Sequence, residues 1–128
     1  MASILLVDDN DQLRELLAEV LVANGHDVIQ ASDGRIAITL LRERRFSLVV
    51  TDVVMPEADG AEVMAAVRSQ TPRPRLIVMS GGGQIDAARY LQMAKMLGAD
   101  VVLPKPFRSA VLIEAVGRLL APSPSPPG

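Results

Sequence analysis

The chain has 128 residues, nearly half of them apolar, and a formal charge of −2, which suits one domain with a proper core. It contains no cysteine, so disulfides and thiolate metal sites are excluded. It also lacks a basic block and base-stacking aromatics, which argues against direct nucleic-acid binding. No apolar stretch approaches the roughly 20 residues of a membrane span, so no membrane association and a soluble, cytoplasmic protein are expected.

Residues 3–7, Ser-Ile-Leu-Leu-Val, read as a first strand. A helix over residues 11–24 follows, with Leu13, Leu16, Leu17, Val20 and Leu21 as its apolar stripe and Gly25 as its stop. Residues 27–31 form a short strand, polar at its start, as expected at a sheet edge. Asp33 or Ser32 can cap a helix that runs to about Arg44, with Ile36, Ala37, Leu40 and Leu41 facing inward. Residues 48–52 form a fully apolar central strand that ends on Asp52. After Met55-Pro56 and a turn at Asp59-Gly60, Val63, Met64 and Val67 mark a helix that stops before Pro72. Residues 75–80 are the fourth strand, followed by Gly81, Gly82 and Gly83. A helix is expected over residues 86–97, with Gly98 as its stop, then a fifth strand over residues 100–104. The last helix spans residues 109–120, with Val111, Leu112, Ala115, Val116 and Leu119 facing the sheet.

Strand runs rich in Val, Ile and Leu, alternating with amphipathic helices, predict an α/β fold: a doubly wound, five-stranded parallel sheet with helices on both faces and right-handed crossovers. Residues 1–121 form the domain. Residues 122–128, Pro-Ser-Pro-Ser-Pro-Pro-Gly, cannot be helical and have nothing to bury, so a disordered tail is expected.

Chemistry gathers at the ends of these strands. Asp8-Asp9 follow the first, Asp52 ends the third, Ser80 ends the fourth and Lys105 follows the fifth. In an open parallel sheet the carboxyl ends meet at one edge, where ligands bind. Two like charges about 4 Å apart repel by roughly 4 kcal/mol at an effective dielectric near 20. A divalent cation would remove that penalty, and an all-oxygen ligand set favours magnesium over zinc. Replacing either Asp8 or Asp9 is therefore expected to stabilise the metal-free fold.

With these residues placed, residues 3–120 resemble a receiver domain of the two-component response regulators. The resemblance rests on Asp8-Asp9, Asp52, Met55-Pro56, Asp59-Gly60, Ser80 and Lys105-Pro106-Phe107 in this order. It implies the flavodoxin-like strand order 2-1-3-4-5. It also implies that Asp52 takes a phosphoryl group from the phosphohistidine of a histidine kinase or phosphotransfer protein, and so switches binding to a downstream protein target. Magnesium would be held by Asp9 and Asp52, by Asp8 directly or through water, and by the backbone carbonyl of Val54. Lys105 would reach one phosphoryl oxygen and the Ser80 hydroxyl another. Such a protein is a self-phosphorylating acceptor with weak autophosphatase activity, and not a turnover enzyme.

Other readings compete. The same sequence could be a receiver fragment of a larger response regulator whose output domain is missing. Asp9-Asn10-Asp11 has the spacing of a haloacid-dehalogenase-type phosphatase, although Gln12-Leu13 continue into a helix and no cap domain follows. A flavodoxin-like carrier would set Asp8-Asp9 against the flavin phosphate and has no Trp to stack on the ring. Asp8 and Asp9 could instead serve only the dipole of the first helix. His26, after Gly25, reads as a helix cap or surface residue, and Met64, Met79, Met93 and Met96 as core or interface filler. The chain departs from the receiver pattern at Val102, where that family usually has a Tyr or Phe that turns inward on activation. The segment from Ser80 to Lys105 is also longer than usual, and Tyr90 is the available substitute aromatic.

Overall fold

The apolar runs of the sequence lie side by side in the computed structural model, which describes residues 3–52, 60–80, 92 and 98–120. In chain order the elements are β1 (Ser3–Val7), α1 (Asp11–Ala23), β2 (Asp27–Ala31), α2 (Gly34–Glu43) and β3 (Leu48–Asp52), then α3 (Gly60–Arg68), β4 (Arg75–Ser80), β5 (Val101–Pro104) and α4 (Ser109–Leu120). The five strands form one sheet in the order β2-β1-β3-β4-β5, with every neighbouring pair parallel. The predicted doubly wound architecture is therefore present, with β2 at an edge as expected. Val53, Val54, the Met55-Pro56 pair, Asp59, Gly81, Gly82, Gly83, Tyr90, Met93, Met96 and residues 121–128 lie outside the described residues. So does the expected helix at 86–97, apart from Gln92, which is helical.

Successive side chains on a strand point to opposite faces, and here that alternation sorts the core into two layers. Ile4, Leu6, Leu48, Val50, Ile77, Met79 and Leu103 pack with Leu17, Ala18 and Leu21 of α1 and Leu112, Ala115 and Val116 of α4. Leu5, Val7, Val49, Leu76 and Val78 pack with Ala37 and Leu41 of α2 and Val63, Met64 and Val67 of α3. Met64 and Met79 are both fully buried, in the filler role expected of them. Three residues predicted to face inward do not: Leu16, Ile36 and Val111 are exposed. Each immediately precedes a buried residue (Leu17, Ala37 and Leu112) and is rotated from it by about 100° at 3.6 residues per turn.

The helix ends follow from local chemistry. The Asn10 side chain accepts from the Leu13 N–H at the start of α1, and the Asp33 side chain from the Ile36 N–H at the start of α2. At the end of α1 the Gly25 N–H donates to the Val22 carbonyl at 3.0 Å and the His26 N–H to the Leu21 carbonyl at 3.2 Å. This paired pattern needs a left-handed residue between them, and Gly25 supplies it at φ +91. His26 thus caps the helix through its backbone. Strand β5 begins at Val101, one residue later than predicted. Asp100 instead clamps the neighbouring strand: its N–H donates to the Leu76 carbonyl and its Oδ2 accepts from the Leu76 N–H, both at 2.8 Å. Among the described residues, no helix is long and apolar enough to cross a membrane.

Candidate functional site

The strand register brings the predicted residues to one edge. Val7 pairs with Thr51, so Asp8 and Asp52 leave adjacent strands at the same level. Asp52 pairs with Met79 and Ser80 with Pro104, which places Ser80 and Lys105 next along that edge. The apolar strands need this burial on both faces, and they carry the flanking polar groups into it. Asp8, Thr51 and Asp52 are accordingly the buried polar residues among those described.

Lys105 joins the two buried acids. Its Nζ donates to Asp8 Oδ2 at 2.8 Å and to Asp52 Oδ2 at 2.9 Å, across 97 and 53 residues of sequence. Burial, the largest influence on this ammonium, would lower its pKa. The hydrogen bonds that it donates to Asp8 and Asp52, and the charges of both, outweigh burial and raise it above the ordinary lysine value. Lys105 is therefore a fixed positive charge at neutral pH, with 18% of its side chain exposed. Asp8 also accepts the Asn10 N–H at Oδ1, at 2.9 Å. The expectation that loss of Asp8 relieves only repulsion overlooked these two bonds.

Asp9 differs from its neighbour. Its side chain is exposed, yet one carboxylate oxygen from each of Asp8, Asp9 and Asp52 lies within 4.8 Å of the others. Among the described residues these three carboxylates face one ammonium. An all-oxygen donor set with surplus negative charge fits a hard divalent cation, so the residues present suit magnesium. Val54, the other expected ligand, lies outside the described residues. Ser80 is placed by its backbone in β4.

The phosphatase reading fares badly in this geometry. Asp11, the second acid of the Asp9-Asn10-Asp11 spacing, has a side chain 73% exposed and paired with Arg14 at 2.7 Å, and it stands apart from the three converging carboxylates. Arg14 is the residue that reading the sequence missed, because an arginine on an amphipathic helix resembles any solvated one. Here only 11% of its side chain is exposed. Its Nη1 donates to the backbone carbonyl of Asp8 at 2.9 Å and its Nε to Gln30 Oε1 at 3.1 Å.

The clefts of about 250 Å³ beside Arg44 and Thr71 and about 410 Å³ between α2 and α3 include none of these residues. Of the three carboxylates, Asp9 is the one exposed to solvent, whereas Asp8 and Asp52 are buried.

Comparison with known proteins agrees with this geometry. The chain matches the response regulator receiver domain over residues 4–117. It is 38% identical over 126 residues to the transcriptional regulatory protein CpxR homolog of Haemophilus influenzae, covering 98% of this chain and 53% of that protein. It is 34% identical over 117 residues to the response regulator protein FleR of Pseudomonas aeruginosa, covering 91% of this chain and 24% of that one. Among solved structures it is similar to the chemotaxis response regulator CheY4 of Vibrio cholerae, with a TM-score of 0.83 and 31% identity, covering 94% of this chain and 99% of that one. The chain thus spans about half the length, or less, of these two curated relatives.

Proposed function

Because the chain belongs to the response regulator receiver family, we propose that it is a cytoplasmic phosphoacceptor of a two-component or phosphorelay system, with Asp52 as the acceptor. The observation that carries this reading is the Lys105 ammonium bridging Asp52 and Asp8, with the Asp9 carboxylate close by. Phosphoryl transfer asks a protein mainly for positioning and charge neutralisation, and these residues supply both.

In the transfer, a carboxylate oxygen of Asp52 forms a bond to phosphorus as the P–N bond to the donor's imidazole breaks, and that electron pair stays on the imidazole nitrogen. Asp8, Asp9 and Asp52, with the Val54 carbonyl, would hold magnesium, whose charge would offset that of the phosphoryl oxygens. Lys105 leaves Asp52 Oδ2 for a phosphoryl oxygen as the new charge of about −1.5 to −2 arrives. Ser80 donates its hydroxyl to another oxygen and so senses the group. The burial of Asp52 limits the approach of water, which suits an acceptor that holds its phosphoryl group and hydrolyses it slowly. A histidine kinase or phosphotransfer protein is the donor, and a downstream protein is the target.

Incubation with acetyl phosphate and magnesium, followed by mass spectrometric mapping, tests this. The expected adduct is on Asp52 and disappears in Asp52→Asn and in excess EDTA. Undiminished labelling in either case would sink the proposal.

A second reading treats the same module as the input part of a longer regulator. Coverage of only 53% of the CpxR homolog supports it, whereas coverage of 99% of CheY4 supports a receiver that suffices alone. The size of the native protein on an immunoblot separates the two.

A further inference from the structure

The contacts of Arg14 go beyond those of an ordinary helix ion pair. A surface pair with Asp11 would need one guanidinium edge exposed to water and would contribute little. Instead only 11% of the side chain is exposed, and burying a guanidinium is costly unless its donors are satisfied. Two of its contacts lie outside the Asp11 pair: the Asp8 carbonyl and Gln30 on edge strand β2.

The Asp8 carbonyl is the oxygen of the peptide bond that joins Asp8 to Asp9. The peptide bond on the other side of Asp9 is tied through its N–H, which the Asn10 nitrogen donates to Asp8 Oδ1 at 2.9 Å. Asp9's own carboxylate makes no hydrogen bond or ion pair among the described residues. The two peptide planes that flank Asp9, one held by Arg14 and the other by Asp8, fix the direction of its Cα–Cβ bond and so the region its carboxylate can reach. A rotation of the first plane would swing Asp9 away from Asp8 and Asp52, with which it now converges.

We infer that Arg14 is a positioning residue that fixes the Asp8–Asp9 peptide, with Gln30 as its anchor, and so aims Asp9 at the cation. This rests on the reading of Asp8, Asp9 and Asp52 as a magnesium site. The arrangement gives Asp9 a defined geometry without spending its oxygens on protein donors, which leaves them for the metal. It also ties edge strand β2 to the site.

The test is magnesium affinity, measured by isothermal titration calorimetry on the full chain without any phosphoryl donor. Arg14→Met keeps the apolar stem and removes the donors, and it should raise the dissociation constant by about tenfold, at the low end for an outer ligand-orienting group. Arg14→Lys, which can serve one carbonyl but not the fork, should fall between Met and wild type. The decisive arm is coupling: in an Asp9→Asn background, Arg14→Met should add less than about twofold, because its effect runs through Asp9. Gln30→Leu should weaken binding in the same direction, by a smaller factor, and carries the test if Arg14→Met does not fold. Folded Arg14→Met or Gln30→Leu protein with wild-type affinity would overturn this inference alone, and so would a full effect of Arg14→Met in the Asp9→Asn background. A wild-type chain that binds no magnesium would overturn the magnesium site itself.

Discussion

Alanine at position 8 and alanine at position 9 delete the same charge from the same edge, but the surroundings of the two acids predict opposite effects on the metal-free fold. Asp9 is exposed, makes no ion pair among the described residues, and stands within 4.8 Å of two other carboxylates. At that spacing each like pair costs about 1 kcal/mol in water-like surroundings, so Asp9→Ala should stabilise by about 1 kcal/mol after partial offset by Lys105. Asp8 is fully buried and accepts from Lys105 and from Asn10. Losing a charged hydrogen bond and orphaning a backbone N–H costs about 3 kcal/mol together, and relief of repulsion returns about 1 kcal/mol of it. Asp8→Ala should therefore destabilise by about 2 kcal/mol. Urea melts in EDTA read this directly: with a slope near 2 kcal/mol/M the midpoint should rise by about 0.5 M for Asp9→Ala and fall by about 1 M for Asp8→Ala, with the slope unchanged. Repeating the melts in magnesium should stabilise the wild type, by about 2.7 kcal/mol at a hundred times the dissociation constant, and Asp9→Ala much less. Midpoints that move in the same direction for both variants would refute the argument.

Three further outcomes follow from the same structure. The raised pKa of Lys105 means that its ion pairs contribute full stability below the unfolded lysine value of about 10.4 and lose it as pH rises through the higher folded value. Metal-free melts in the alkaline range should show this loss in the wild type and not in Lys105→Met, and equal alkaline slopes would refute it. Val102 is half-buried and packs against the layer that includes Leu76 and Val78, so Val102→Ala should cost about 1 kcal/mol of packing and leave the phosphorylation-dependent change intact, whereas Ser80→Ala should uncouple it. Amide exchange with and without beryllofluoride decides, and a protection change confined to residues 101–105 would contradict the expectation. Gly25→Ala should cost about 1–2 kcal/mol from backbone strain alone, because φ is +91 and an added Cβ meets nothing within 4 Å; an unchanged urea midpoint would count against the cap.

Most of the fold and the core of the site could be read from residue order, for a physical reason. Strands buried on both faces must be continuously apolar, so Leu48, Val49 and Val50 announce a central strand and Asp52 its polar end. Asp8, Asp52 and Lys105 were expected to meet because parallel strands share a carboxyl edge, and the bridging ammonium brings them together. What stayed hidden depends on rotation and reach. Leu16, Ile36 and Val111 are as apolar as their buried neighbours, and only packing decides which side of the stripe meets the sheet. Arg14 has no local signal that separates it from Arg35, since its acceptors are a carbonyl six residues back and a side chain on another strand. The different fates of Asp8 and Asp9 are likewise invisible in an acidic pair, because burial is a property of the assembled edge.

The alternation that divides the core has an evolutionary consequence. Among the described residues none belongs to both apolar layers, so a substitution on α2 or α3 falls within its own layer, and one on α1 or α4 within the other. The two helical surfaces can therefore vary in sequence largely independently of each other. The strand ends stand at the seam between the layers, so the Lys105 bridge to Asp8 and Asp52 is kept through either change. A sequence built this way can change one face at a time while the other half of its core stays packed.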